Sequence, residues 1–284
     1  MIMRRGITVI NLLIVIVVVL GLLSLLVPLI NNTRRAAARM SCSNNLRQLG
    51  MGIDNYHDTH DQYPSGTVPD TTLPPDQRLN FHVQVLPYIE QNNLFNVLNL
   101  KESWDSPSNM KHAPSGGGCY GFYRCPDWSQ ERGYGIGKHA SGGISVTNYV
   151  GVAGVGAEAA SRPAKAPDIG IFGYDRTLKN KDVKDGLANT MMLIETASEV
   201  GPWLRGGPST VRGIEPTGGQ LAGDGLPFGG THFRQAWIFQ SPRPAAFHIL
   251  LADGSVRQAK NAIDPNILTA LATVAGGEVI PAGW

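Results

Sequence analysis

A chain of 284 residues with a formal net charge of +2 has no basic excess with which to hold a nucleic acid. Its 34 glycines and 19 prolines, about a fifth of the chain against a usual share of about 12%, predict a body rich in loops. The cysteines, Cys42, Cys119 and Cys125, allow one bridge and leave one thiol over, and the absence of a C-x-x-C pair argues against a zinc ribbon or a thioredoxin-like site.

The chain opens on a short basic stretch ending in Arg4, Arg5 and Gly6. An apolar run from Ile7 to Ile30 follows, broken only by Thr8, Asn11, Gly21, Ser24 and Pro28. As a helix it would reach roughly 36 Å, enough for a hydrocarbon core of about 30 Å. A cleaved secretory signal has an apolar region of only about 7–15 residues. Ala36 and Ala38 could imitate its cleavage site, but Arg34, Arg35 and Arg39 surround them. The run therefore reads as a retained transmembrane helix. Arginines on both sides leave the positive-inside rule undecided. Ala36-Ala37-Ala38 favours continuation of the helix, and Cys42, Leu46, Leu49, Ile53 and Tyr56 recur at helical spacing as one apolar stripe. These signals divide the chain into residues 1–6 as a leader, 7–30 as the membrane helix, 31–58 as its continuation into the body, and 59–284 as the body.

Within the body, Tyr63-Pro64-Ser65-Gly66 through Pro74-Pro75 reads as loop. Residues 81–86 alternate and predict a strand. Residues 87–100 predict a short helix with Pro87 near its start. Residues 105–145 and 201–245 are rich in Gly, Pro and Ser and read as irregular, whereas Met191-Met192-Leu193-Ile194 reads as a buried strand. The strongest local signal is Asp253-Gly254 between two strand-like runs over 247–257, which predicts a hairpin closed by a type I′ turn. Asp264-Pro265 then offers an N-cap and a first-turn proline for a helix carrying Ile267, Leu268, Leu271 and Val274, with Gly276-Gly277 at its end.

Candidate chemistry is sparse. His57-Asp58-Thr59-His60-Asp61 gathers imidazoles and carboxylates, which can bind metal, but the same residues suit a helix end that caps its own carbonyls. Asp185, Asn189 and Glu195 offer oxygen ligands to calcium, against ordinary turn chemistry at Asp185-Gly186. Cys119 and Cys125 can close a tight loop, and Cys42 and Cys125 can staple the long helix to the body. Gly133-Tyr134-Gly135-Ile136-Gly137 lacks the strand, helix and acidic partner of a dinucleotide loop, and no G-x-S-x-G elbow is present. Trp104, Trp128, Trp203 and Trp237 fall in loop-like stretches, as a binding surface or as buried anchors. No constellation points to catalysis, and no cofactor beyond the calcium candidate is expected.

Arg4-Arg5-Gly6-Ile7-Thr8-Val9-Ile10 resembles the type IV prepilin signature. That resemblance implies cleavage between Gly6 and Ile7 by a prepilin peptidase, with Arg5, Gly6 and Ile7 as the processing site and the helix kept as anchor and assembly element. Pilins usually carry Glu at the position held here by Asn11, which can offer only hydrogen bonds. Further pieces are collinear with one bacterial family that joins a prepilin-type N-terminus to a domain of unknown function ending in an H-x9-D-G signature. They are Cys42-Ser43-Asn44-Asn45-Leu46, Leu86-Pro87-Tyr88-Ile89-Glu90, Cys125-Pro126-Asp127, Asn148-Tyr149-Val150-Gly151, Asp185-Gly186-Leu187-Ala188-Asn189-Thr190 and Ala252-Asp253-Gly254-Ser255-Val256. The chain resembles a divergent member, because Arg243 stands where the signature has His, and His248 is out of register. Since Cys42 and Cys125 both fall in these pieces, the resemblance favours them over Cys119 and Cys125 as a disulfide pair. The expected fold is α+β, a long N-terminal helix packed on an antiparallel sheet with long loops. The expected role is a pilin- or pseudopilin-like subunit, minor or at the tip, of a type II secretion or type IV pilus-like system. It would sit in the bacterial inner membrane by a single pass with its body outside, its partners being the peptidase and other pilin-like subunits. The competing expectation is a membrane-tethered binding module for a surface polymer or ligand.

Overall fold

A computed structural model of the chain describes residues 9–112, 121–126, 145–216, 219–222, 226–229, 232, 246–281 and 283–284, without the side chains of 23–29, 31, 32 and 122. The expected processing site, Arg5, Gly6 and Ile7, lies outside the described residues, as do Cys119, Arg243, Trp128, Trp237 and the Gly133–Gly137 loop.

The first element, α1, is a single 52-residue helix, Val9–His60. Its two halves differ in what surrounds them. Large apolar side chains from Val9 to Leu22 are all at least 45% exposed, whereas Cys42, Leu46, Leu49 and Ile53 are buried against the body. Among the described residues no helix is long and apolar enough to cross a membrane. The apolar side chains described on α1 before residue 23 fall short of the roughly 20 residues that a span needs.

The body is built on five strands: β1 (Tyr149–Val155), β2 (Met191–Glu195), β3 (Val211–Ile214), β4 (Ala246–Leu251) and β5 (Val256–Lys260), in the spatial order β3-β1-β2-β4-β5. The fold is α+β, but the sheet is mixed where an antiparallel one was expected. β3 pairs in parallel with β1, while the other neighbours are antiparallel. The cause is the connection after β2. It carries the chain past β1 to the opposite side, so the next strand runs in the direction of β1.

Both faces of the sheet are covered over β1, β2 and β4, so these strands read as largely apolar runs rather than alternating ones. On one face, Leu193 and Leu250 join Leu46, Leu49 and Ile53 of α1 and the aromatic side chains of Tyr63, Phe81, Tyr149, Phe172 and Trp203. On the other, Val150, Val152, Ile194, Phe247, Ile249 and Leu251 pack on Leu268 and Leu271. Those two leucines belong to a C-terminal helix, Pro265–Leu271, capped as expected by Asp264, whose carboxylate accepts from the Asn266 N–H.

Three expectations fail locally. Residues 81–86 form a helix, α2 (Phe81–Val85), that passes into a 3₁₀ turn over Leu86–Ile89. The Asn80 side chain accepts from the His82 N–H and starts the helix, and Phe81, His82, Val83 and Val85 are all buried, so the apparent alternation marks no exposed face. The helix expected over 87–100 is interrupted at Glu90, which takes φ 63°, and only Asn92–Phe95 is α-helical beyond it. Asparagines at 92, 93, 96 and 99 are poor helix formers. The hairpin of β4 and β5 is present, but its turn is not type I′. Only Gly254, at φ 78°, is left-handed, and its N–H reaches Leu251 O while Leu251 N–H reaches Ser255 O. That is a type I turn closed by a glycine bulge.

Candidate functional site

One group of chemically reactive side chains is buried between α1 and the sheet. Cys42 lies near the point where α1 emerges from the body. Cys125 comes from the short segment 121–126, which is tied to α1 by Asn45 Nδ2 donating to Gly121 O and to the residue before β1 by Cys125 N–H donating to Asn148 Oδ1. Glu195 is the last residue of β2. His248 lies opposite it on β4, one step along from the Ile194–Ile249 pair. His232 is placed by a bridge to Ala246 at the start of β4. Cys42, Cys125 and Glu195 are wholly inaccessible, and His232 and His248 are at most 5% exposed.

The contacts are close. The Cys42 and Cys125 sulfurs are 2.6 Å apart. Glu195 Oε2 lies 3.1 Å from His232 Nε2 and 3.1 Å from His248 Nδ1, and those two nitrogens are 3.3 Å from each other. The same oxygen accepts from the His248 backbone N–H at 2.7 Å. One donor atom from each of Cys42, Cys125, Glu195 and His232 lies within 4.8 Å of all the others. Burial pushes the Glu195 carboxyl up, but the charge and hydrogen bonds of His232 and His248 outweigh it and hold the group well below the usual carboxylate range. Burial, reinforced by the hydrogen bond to Cys42, pushes the Cys125 thiol well up. Tyr149 closes the floor. Its hydroxyl hydrogen-bonds to Cys42 O, and burial pushes its pKa well up.

Cys42 and Cys125 are adjacent. Glu195 is apart from the other calcium candidates in its partners. The Asp185 carboxylate accepts from the Gly276 and Gly277 N–H groups and the Thr273 hydroxyl, and Asn189 Nδ2 donates to Asp185 O. That is turn chemistry, and it leaves Glu195 among sulfur and imidazole rather than among oxygens, so the expected calcium set does not assemble. At the end of α1, Asp61 N–H bonds His57 O, His60 Nδ1 faces Tyr56 O, and His57 Nε2 accepts from Asn180 N–H. Those residues finish a helix. Trp104 and Trp203 are buried, Trp104 donating to Asp76 O and Trp203 stacking on Tyr123, so neither offers a binding surface.

His232 and the pairing of Glu195 with His248 were not legible in the sequence, because no local spacing joins positions that lie on separate segments. The usable signal was a polar residue inside an apolar strand: Glu195 closing Met191–Ile194, and His248 between Phe247 and Ile249.

Comparison with curated proteins and with solved structures gave no match. Comparison with protein families gave one described as "Protein of unknown function (DUF1559)", matched over residues 31–266. That span takes in the docked half of α1, all five strands and every residue of the buried cluster, and the chain belongs to the DUF1559 family.

Proposed function

We propose that this chain is a pilin- or pseudopilin-like structural subunit, anchored in the bacterial inner membrane by α1 with its body on the extracytoplasmic side. In this reading a prepilin peptidase removes residues 1–6, and the subunit serves a type II secretion or type IV pilus-like assembly. The observation that carries the reading is the division of α1. Its second half is a structural rib of the body, while the large apolar side chains from Val9 to Leu22 face outward from it. Burying each such side chain in lipid or against like helices is worth about 1.5–3 kcal/mol, so their exposure favours a bilayer or a bundle of other subunits around that half. The apolar sequence runs on to Ile30, which brings the stretch to the length of a span. Asn11 in place of the pilin glutamate argues for a minor or tip position, since the carboxylate that neutralises a neighbouring N-terminus is missing.

Asn11 also favours a second reading, a tethered extracytoplasmic binding module that never enters a filament. Crosslinking through the first half of α1 separates the two, because a subunit couples to pilus components there and a tethered module does not. The primary test is intact mass and N-terminal sequence of the membrane-purified protein. A chain beginning at Ile7 is expected, with Gly6→Val blocking maturation. A chain that keeps Met1, or a Gly6→Val variant that matures normally, rejects the processing and with it the assembly reading.

A further inference from the structure

We propose that Glu195, His232, His248 and the sulfur of Cys125, with the Cys42 sulfur against it, form a structural site for a borderline divalent metal ion, with Zn²⁺ as its natural occupant. Zinc binds imidazole nitrogen and carboxylate oxygen at about 2.0–2.2 Å, so two such ligands of a tetrahedral ion stand about 3.3 Å apart. Glu195 Oε2, His232 Nε2 and His248 Nδ1 form a triangle with sides of 3.1, 3.1 and 3.3 Å. Three donors are thus already at the spacing of one coordination face. The fourth side is sulfur, since Cys42 and Cys125 Sγ are within 4.8 Å of the Glu195 and His232 donors; two thiolates on one zinc stand about 3.8 Å apart, so sulfurs 2.6 Å from each other supply one ligand between them. Sulfur with imidazole selects zinc and its neighbours in the first transition row over calcium or magnesium.

Burial gives the second argument. Buried charges are kept where they are paired or hold a metal, and here the buried Glu195 carboxylate gathers two imidazoles and two sulfurs around one point. A disulfide between the cysteines alone would give the protein no reason to bury Glu195, His232 and His248 beside it. The elements involved fix the role. Cys42 belongs to α1, Cys125 to the 121–126 segment, Glu195 to β2 and His248 to β4, so an ion here would bind the helix to the middle of the sheet. No face of the cluster is exposed, which matches a closed structural site rather than a catalytic one with an open position. Loading replaces the coordinated S–H by an S–Zn bond and releases that proton to solvent. The cysteines enter and leave as thiolates with no redox change.

The test uses the full chain purified in detergent under reducing conditions. One equivalent of Zn²⁺ per chain is expected to survive gel filtration. Replacement by Co²⁺ should give thiolate-to-metal charge-transfer absorption together with a tetrahedral ligand-field band. His232→Ala and Cys125→Ser should each lose the bound ion, and Cys42→Ser should weaken retention by about 10–100-fold, because its sulfur lies against the one that binds. Because such variants can misfold, the Co²⁺ spectrum of the unaltered chain is an independent readout. Absence of retained metal in the reduced chain overturns the proposal, and so does a Co²⁺ complex lacking the thiolate band. A 42–125 disulfide that, once reduced, yields a chain without affinity for Zn²⁺ does the same.

Discussion

Docking of α1 on the body can be tested at one atom. A Cβ built on Gly52 would stand 2.6 Å from Ile89 Cγ2 and 2.6 Å from Val85 Cγ1, nearly 1 Å inside the roughly 3.5 Å at which carbon atoms begin to repel. Val85 is fully buried, and both obstructing groups are branched at Cβ and stiff, so neither can rotate away cheaply. The helix must retreat from the 3₁₀ turn, and overpacking of that kind costs about 2–3 kcal/mol. Against it stands the helix propensity of alanine, about 1 kcal/mol better than glycine. The net expectation for Gly52→Ala is a loss of about 1–2 kcal/mol, or roughly 2–8 °C in Tm for a domain of this size. Gly50→Ala is the internal control. Its Cβ would meet only the flexible end of Leu250 at 3.1 Å, so propensity and crowding should nearly cancel. Thermal melts of both variants, followed by circular dichroism in detergent, decide the matter. If Gly52→Ala raises Tm by the full propensity gain, α1 is not seated on the turn and the docking argument is refuted.

Other expectations follow from buried polar groups and caps. His82 is fully buried, its Nε2–H donates to Tyr149 O, and burial pushes its pKa down to about 3 from 6.5. The folded protein therefore keeps it neutral. As pH falls below 6.5 the unfolded chain takes up a proton that the fold refuses, and stability falls by up to about 1.4 kcal/mol per pH unit until the folded group titrates near 3. Urea midpoints between pH 6.5 and 4 should show this slope, and His82→Gln, if it folds, should flatten it. Arg176 is buried, has no acidic partner among the described residues, and donates to the carbonyls of Ala153, Ala159, Arg162, Gly170 and Phe172. A lysine cannot span that fork, so Arg176→Lys should cost about 3 kcal/mol or more, read as a lower urea midpoint or as insoluble expression. Asp264→Ala removes the N-cap of the C-terminal helix and should cost about 1 kcal/mol, a shift of a few degrees in Tm.

What the sequence revealed and what it hid follow from the range of the forces involved. The hairpin at Asp253-Gly254 and the helix after Asp264 were legible because turn and cap chemistry act over three or four residues. β1 and β3 were missed because both carry glycines that serve packing rather than turning. A Cβ on Gly151 would strike the Phe172 ring at 2.9 Å, and one on Gly213 would lie 2.1 Å from Gly156 O. Crowding by neighbours distant in sequence left β1 unread and made β3 look like loop. α2 was misjudged for a related reason, since alternation carries information only when one face is exposed and here nearly every side chain is buried. Likewise the spacing of Asp185, Asn189 and Glu195 suggested one oxygen-rich site, whereas the fold gives Asp185 to the backbone at 276–277 and Glu195 to the imidazoles.

The position of the buried cluster bears on how α1 is held. The docked stripe begins at Ala38 and Cys42, while Met40 and the described residues before Ala38 are largely exposed. Any force on the N-terminal half therefore arrives first at Cys42. Resistance to peeling from there by apolar contact alone rises by about 1.5–3 kcal/mol for each large side chain, beginning with Leu46 one turn later. Cys42 is a small side chain and a poor first anchor by that measure. A centre that joins it to Glu195 and His248 changes the order of events, because the helix cannot begin to lift without breaking contacts to two central strands. Hydrogen exchange distinguishes the cases. With the centre formed, amides of residues 42–49 should exchange only with global opening; without it, they should exchange before those around Ile53, as a helix frays from its leading end.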